Sequence, residues 1–227
     1  MTRSFARILA PLALAAAAAS PAFAQSTLPS DSALAHALAF RSIGPALMGG
    51  RISSIAAAPN ATGQLGTVFY AGAATGGVWR STNAGVSWTP IFDPVRTGGI
   101  GAVAVAPSNS DIIWVGTGEP NNMRSSSWGT GVYKTTDGGK IWSAAMLTTS
   151  QHVARIVVDP RDPNTVYVAA VGPLWGPGGE RGLYKTTDGG KTWTNTKSIS
   201  KYTGFTDVVM DPSNPDVLYA ASEERER

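Results

Sequence analysis

From residue 49 onward, short stretches rich in Val, Ile, Tyr and Trp alternate with clusters of Pro, Asn, Asp and Gly. β-Branched and aromatic side chains suit a pleated, half-buried surface, and the intervening residues suit turns. The pattern therefore predicts strands joined by short loops. Over residues 150–203 the strands fall at Val153–Val158, Thr165–Val171, Gly182–Lys185 and Thr192–Thr196, named A to D. No stretch after residue 24 keeps a helical period. Residues 25–40, with Ser, Ala, Leu and Pro29, read as a loose lead-in.

The pattern repeats. Ser81-Thr82-Asn83-Ala84-Gly85-Val86-Ser87-Trp88 returns as Thr135-Thr136-Asp137-Gly138-Gly139-Lys140-Ile141-Trp142 and again as Thr186-Thr187-Asp188-Gly189-Gly190-Lys191-Thr192-Trp193, at spacings of 54 and 51 residues. A second landmark, an apolar run ending at Pro59, Pro107, Pro160 and Pro212, keeps the same beat at 48, 53 and 52 residues. Four antiparallel strands per repeat make one blade of a β-propeller. The expected class is an all-β propeller, incomplete at about three and a half blades. The blades are expected over about 49–96, 97–149 and 150–203, with Phe205–Met210 and Val217–Ala221 in a partial fourth over 204–227. A blade buries its faces against its neighbours, so further blades of the same chain are expected partners.

The recurring Ser/Thr-x-Asp-x-Gly-x-Thr/Ser-Trp pattern is identified as the Asp-box, or BNR repeat. Over residues 41–227 the chain resembles Asp-box propellers. These include sialidases, xyloglucanases, the sortilin (VPS10-like) luminal domain, a photosystem II assembly factor and exported bacterial proteins described as glycosyl-hydrolase-like. The resemblance implies a sortilin-like architecture with ligand on the face opposite the Asp-boxes. The boxes themselves read as structural. Asp137 and Asp188, with Asn83 as a neutral substitute, accept hydrogen bonds from their own turns, and Trp88, Trp142 and Trp193 pack against the blade.

Two departures bear on activity. Xyloglucanases carry a Tyr-Ala-Arg-Thr-Asp-x-Gly-Gly-x-Tyr-Arg type of sequence, and this chain has Tyr70-Ala71-Gly72-Ala73-Ala74-Thr75-Gly76-Gly77-Val78-Trp79-Arg80, with Ala74 at the family's carboxylate position. Glycoside hydrolysis of that type needs two carboxylates. Phe40-Arg41-Ser42-Ile43-Gly44-Pro45 resembles the sialidase Phe-Arg-Ile-Pro motif, interrupted by Ser42.

The ligand face should carry the loops that vary between repeats, since binding sits on variable loops of a constant scaffold. These are the B–C loops Ala73–Gly77, Gly118–Gly131 and Gly172–Arg181. Trp128 and Trp175, with Asn121, Asn122 and Arg124, supply aromatic faces and polar groups for a glycan or a peptide. Eight residues before the landmark prolines lie Arg51, Gly99, His152 and Gly204, where strand A enters the central channel, which adds Arg51 and His152 as ligand contacts. Glu119 and Glu180 are the candidate carboxylates for catalysis. Arg155 and Asp207 occupy equivalent positions on neighbouring inner strands and are expected to pair. The chain is thus read as a binding module, with a glycoside hydrolase as the alternative.

Composition narrows the partners. Arg3 and Arg7, the apolar run Ile8–Ala19 and Ala22-Phe23-Ala24 have the order of a signal peptide cleaved after Ala24, which predicts a periplasmic or secreted protein with no membrane insertion thereafter. Without Arg3 and Arg7, sixteen basic residues face fifteen acidic ones, so nucleic acid is not an expected partner. The chain has no cysteine, and its two histidines are His36 and His152. No metal or cofactor is expected.

Overall fold

The structure, a computed structural model, describes residues 51–60, 62–121 and 126–224. Residues 1–24, the lead-in, His36 and the Phe40–Pro45 motif lie outside them. So do Asn122 and Arg124.

Three four-stranded antiparallel sheets and a two-stranded one follow each other along the chain. The first contains β1 (Ile52–Pro59), β2 (Leu65–Ala73), β3 (Gly77–Ser81) and β4 (Thr89–Pro90). The second contains β5 (Ile100–Ala106), β6 (Asn109–Thr117), β7 (Val132–Thr135) and β8 (Ser143–Ala144). The third contains β9 (Val153–Val158), β10 (Val166–Ala170), β11 (Gly182–Thr186) and β12 (Thr194–Lys197). Strands β13 (Thr203–Met210) and β14 (Leu218–Glu224) pair as the fourth. In each full sheet the order in space is the order in sequence, the meander of a propeller blade. Among the described residues the sole helix is a single 3-10 turn at Asp93–Val95.

The core lies between blades. Tyr70 and Val78 of the first blade meet Ile100, Val103, Ile113 and Val115 of the second. Trp114, Val132 and Leu147 of the second meet Val153, Ile156, Val166 and Val168 of the third. Ala169 of the third meets Phe205 and Val208 of the fourth. Burying each such side chain contributes about 1.5–3 kcal/mol, so a blade is stabilised chiefly by its neighbours. Close approach needs a small residue on strand B: a methyl group at Gly116 would overlap the Val153 side chain of the next blade.

Each Asp-box works as expected at its turn. The Asp188 Oδ1 accepts from the amides of Lys191 and Thr192, both at 3.0 Å, and from the Thr186 hydroxyl at 2.8 Å. Asp137 repeats this with Lys140, Ile141 and Thr135, and Asn83 Oδ1 takes the Ser87 amide at 2.9 Å. Because that turn holds the Thr192 amide, strand D begins at Thr194 and not at Thr192. The box tryptophans differ from expectation in what they touch. Trp142 Nε1 donates to the Ile91 carbonyl at 2.8 Å, and Trp193 Nε1 to the Ala145 carbonyl at 2.7 Å, each in the preceding blade. Trp142 also stands edge-on to Phe92, and Trp193 to Trp114. They are rivets between blades. Trp88 bonds its own turn at Gly85.

A second per-blade device was not read from the sequence. Arg80 lies over Tyr70, Lys134 over Trp114 and Lys185 over Tyr167, each cation directly opposite its ring across strands B and C. Such pairs add about 0.5–1 kcal/mol where exposed. The expected Arg155–Asp207 pair is present at 3.4 Å.

Candidate functional site

On the face opposite the Asp-boxes, three equivalent hydrogen bonds mark where strand B gives way to its loop. The Ala74 amide donates to the Arg51 carbonyl at 2.9 Å, Gly118 to Gly99 at 2.7 Å, and Val171 to His152 at 3.0 Å. The Glu119 amide then donates to Ser127 within the second-blade loop, and the Gly129 amide ties that loop to Gln151, ahead of β9. The Thr117 hydroxyl, buried, donates to the Gly131 carbonyl and accepts from the Thr130 amide. Gly118 turns with φ of 82°, and a side chain there would strike the Gln151 carbonyl.

Glu119 is 0% exposed. Both its carboxylate oxygens are taken by the Arg51 guanidinium in a bidentate pair, and Asn121 Nδ2 donates to Oε1 at 3.1 Å. That hydrogen bond to Glu119 is the leading cause that raises the Arg51 pKa above its ordinary value. The pair pins the second-blade loop to the residue just before β1 of the first blade. Glu119, expected as a candidate carboxylate, and Arg51 and Asn121, expected as ligand contacts, are thus placed together in one hydrogen-bonded cluster.

The third-blade loop has its own anchor. Arg181, 4% exposed, donates Nη1 to the carbonyls of Val171 at 2.8 Å and Tyr202 at 3.2 Å, and Nε to Gly178 at 3.0 Å. Its Nη2 donates to Gly176 at 2.5 Å and to Pro173. One planar fork thus gathers the loop that carries Trp175. Glu180 ties the same loop to the preceding blade, accepting from the amide and hydroxyl of Thr149 at 2.8 and 3.0 Å. Counting back seven residues from each Asp-box acceptor gives Gly76, Thr130 and Arg181. A charge where the other blades place small residues was the sequence signal for this anchor.

Between these loops lies a depression of about 480 Å³. Trp128 and Trp175, from different blades, both line it and are 72% and 59% exposed. His152 lines it too, itself buried. The hydroxyls of Thr75, Thr97, Ser126, Ser127 and Thr130 and the chain at Arg96 to Gly99 complete it. Sequence reasoning did not single out Arg96, Thr75, Thr97 or Thr130, because single polar residues in loops carry no repeat signal. Neither Glu119 nor Glu180 lines the depression, and no carboxylate does among the described residues. Ala74, at the xyloglucanase carboxylate position, is buried beside it. No cluster of metal-binding side chains occurs among the described residues.

Comparison with known proteins places this geometry. A xyloglucanase of Hypocrea jecorina (strain QM6a) is 29% identical over 161 residues, 65% of this chain and 18% of that protein. A xyloglucanase of a Paenibacillus species is 27% identical over 160 residues, 65% of this chain and 14% of that protein. The chain thus spans less than a fifth of the length of these relatives. An ancestral GH74 enzyme matches in structure with a TM-score of 0.58 and 26% identity, over 78% of this chain and 22% of that one. The GH74 enzyme of Niastella koreensis matches with a TM-score of 0.57 and 24% identity, over 77% of this chain and 26% of that one, a likeness of fold. Residues 76–227 match the Sortilin-Vps10 family, described as sortilin, neurotensin receptor 3. With two thirds of its length matched, the chain belongs to the Sortilin-Vps10 family of β-propellers.

Proposed function

We propose that these blades form part of an exported glycan-binding propeller, with Trp128 and Trp175 as the stacking surfaces. The observation that carries this is the convergence of two exposed tryptophans from different blades on one depression rimmed by hydroxyl groups. An indole offers a flat apolar face to the C–H side of a pyranose, while hydroxyls bond its equatorial oxygens. Both indoles stand on loops held by buried charged anchors, so little ordering is left to oppose binding. Export rests on the leader-like segment at residues 1–24.

The similarity to xyloglucanases favours a β-glucan as ligand and supports a second reading, hydrolysis of that glycan by the whole protein. Two carboxylates facing the bound sugar are needed for it, and the described part of the depression holds none. Affinity electrophoresis in xyloglucan, with reducing ends assayed in parallel, separates the readings. Retardation without new reducing ends is expected. Release of reducing ends establishes the hydrolase, and absence of retardation in any glycan refutes both.

A further inference from the structure

We infer that the depression is built for an acidic glycan, one bearing uronate carboxylates, and that Arg96 is the residue that reads the acid. This inference rests on the glycan-binding reading above.

Among the described residues three arginines belong to this face, and two are fully committed. The charge of Arg51 is matched by Glu119, and the five donors of Arg181 go to backbone carbonyls. Arg96 lines the depression, is exposed, and its side chain makes no hydrogen bond or ion pair among the described residues. It is also held in an uncommon backbone conformation. It ends the 3-10 turn with φ of 56° and ψ of 26°, its amide on the Asp93 carbonyl at 3.3 Å. The left-handed region is unfavourable for a side chain with a Cβ, and such residues persist where the surroundings over-determine them, often at ligand clamps.

The lining gives this cation no opposing charge, since no described acid borders the depression. A neutral glycan stacked on Trp128 and Trp175 would cover Arg96 and strip its water without replacing it, which opposes binding. A uronate supplies a planar carboxylate that a guanidinium meets with two parallel hydrogen bonds, strengthened in a concave site. The same sugar keeps its apolar face for the indoles and its remaining hydroxyls for Thr75, Thr97 and Ser127. The depression thus favours the acidic chain over its neutral counterpart.

The test is calorimetry on the whole protein at low salt, with a glucuronate-bearing xylan oligosaccharide, the same oligosaccharide with its carboxyl reduced to the alcohol, and neutral xyloglucan oligosaccharides. The acid form is expected to bind about tenfold or more tighter than its reduced form. Salt should erode that ratio. Arg96→Gln should collapse the ratio, and Arg96→Lys should restore part of it. An unchanged ratio in Arg96→Gln, or equal binding of the two forms by the parent protein, overturns the inference. If neutral xyloglucan binds and Trp128→Ala weakens it while no acid preference exists, the glycan reading stands and this inference alone falls. If a peptide with a free carboxylate binds and no glycan does, both fall.

Discussion

Replacing Arg181 by Met keeps an unbranched stem as far as the position of Nε and removes all five of the N–H donors. Hydrogen bonds to a charged group contribute about 1.5–3 kcal/mol each, but five on one fork are not additive. The carbonyls of Pro173, Gly176 and Gly178 belong to a loop at the surface and regain water when the guanidinium goes. The bond to the Val171 carbonyl is buried, so that carbonyl is left without its partner. Counting the buried bond in full and the others at a small fraction gives a loss of about 2–4 kcal/mol. Denaturant unfolding followed by circular dichroism reads the global loss, and hydrogen exchange by mass spectrometry reads residues 172–180 directly. Faster exchange in that loop and a lowered midpoint are expected. Arg181→Lys should recover less than half of either, because an ammonium cannot span donors arranged as a planar fork. Unchanged exchange in Arg181→Met would show that the loop holds itself and that Arg181 is no anchor.

Asp188→Ala should lower the melting temperature while leaving glycan affinity intact, since Asp188 serves its own turn on the opposite face; lost binding at an unchanged melting temperature would contradict that. Hydrogen bonds hold Asp188 and Asp137 below the ordinary carboxylate range, led by the Thr192 hydroxyl for Asp188 and the Thr135 hydroxyl for Asp137. The folded protein therefore takes up these protons less readily than the unfolded chain. The stability they add is whole above about pH 4 and lost as the pH falls through the folded values. Thermal melts of an Asp137→Asn, Asp188→Asn double variant should show a shallower acid dependence than the parent, following Asn83 in the first blade. Arg155→Ala should change stability by only about 0–1 kcal/mol, because both partners are half in water at 54% and 53% exposure. Arg51→Ala should cost more than Arg155→Ala, because Glu119 is buried and loses its partner, and Glu119→Gln in the same background should recover part of the loss in equilibrium unfolding.

The blades were legible because their landmarks recur: a strand pattern repeated three times, with Trp and Asp at fixed offsets, leaves little freedom for the backbone. Strand ends shifted by one to three residues, as at the fourth strand of the third blade, where Asp188 captures the Thr192 amide. The Arg155–Asp207 pair followed from the same register, since equivalent positions on neighbouring inner strands lie side by side. The two loop tryptophans stand out in the sequence because they break the repeat, and both line one depression. The roles of Glu119, Arg51 and Arg181 were not legible, because burial of a charged loop residue depends on which distant segment folds over it, 68 residues away for Arg51 and Glu119. Nor did periodicity show that the Asp-box tryptophans reach into the preceding blade; a repeat displays what each unit contains and not which neighbour it touches.

The central claim is that Trp128 and Trp175 together make one binding surface. Titration calorimetry of a glycan oligosaccharide against the protein, against Trp128→Ala with Trp175→Ala, and against Trp88→Ala tests it most directly. Truncating two buried-on-binding aromatics is expected to weaken affinity by about a hundredfold or more, as for interface anchors. Trp88→Ala, on the opposite face, should bind as the parent does. Equal affinity in the parent and the double variant would contradict the account.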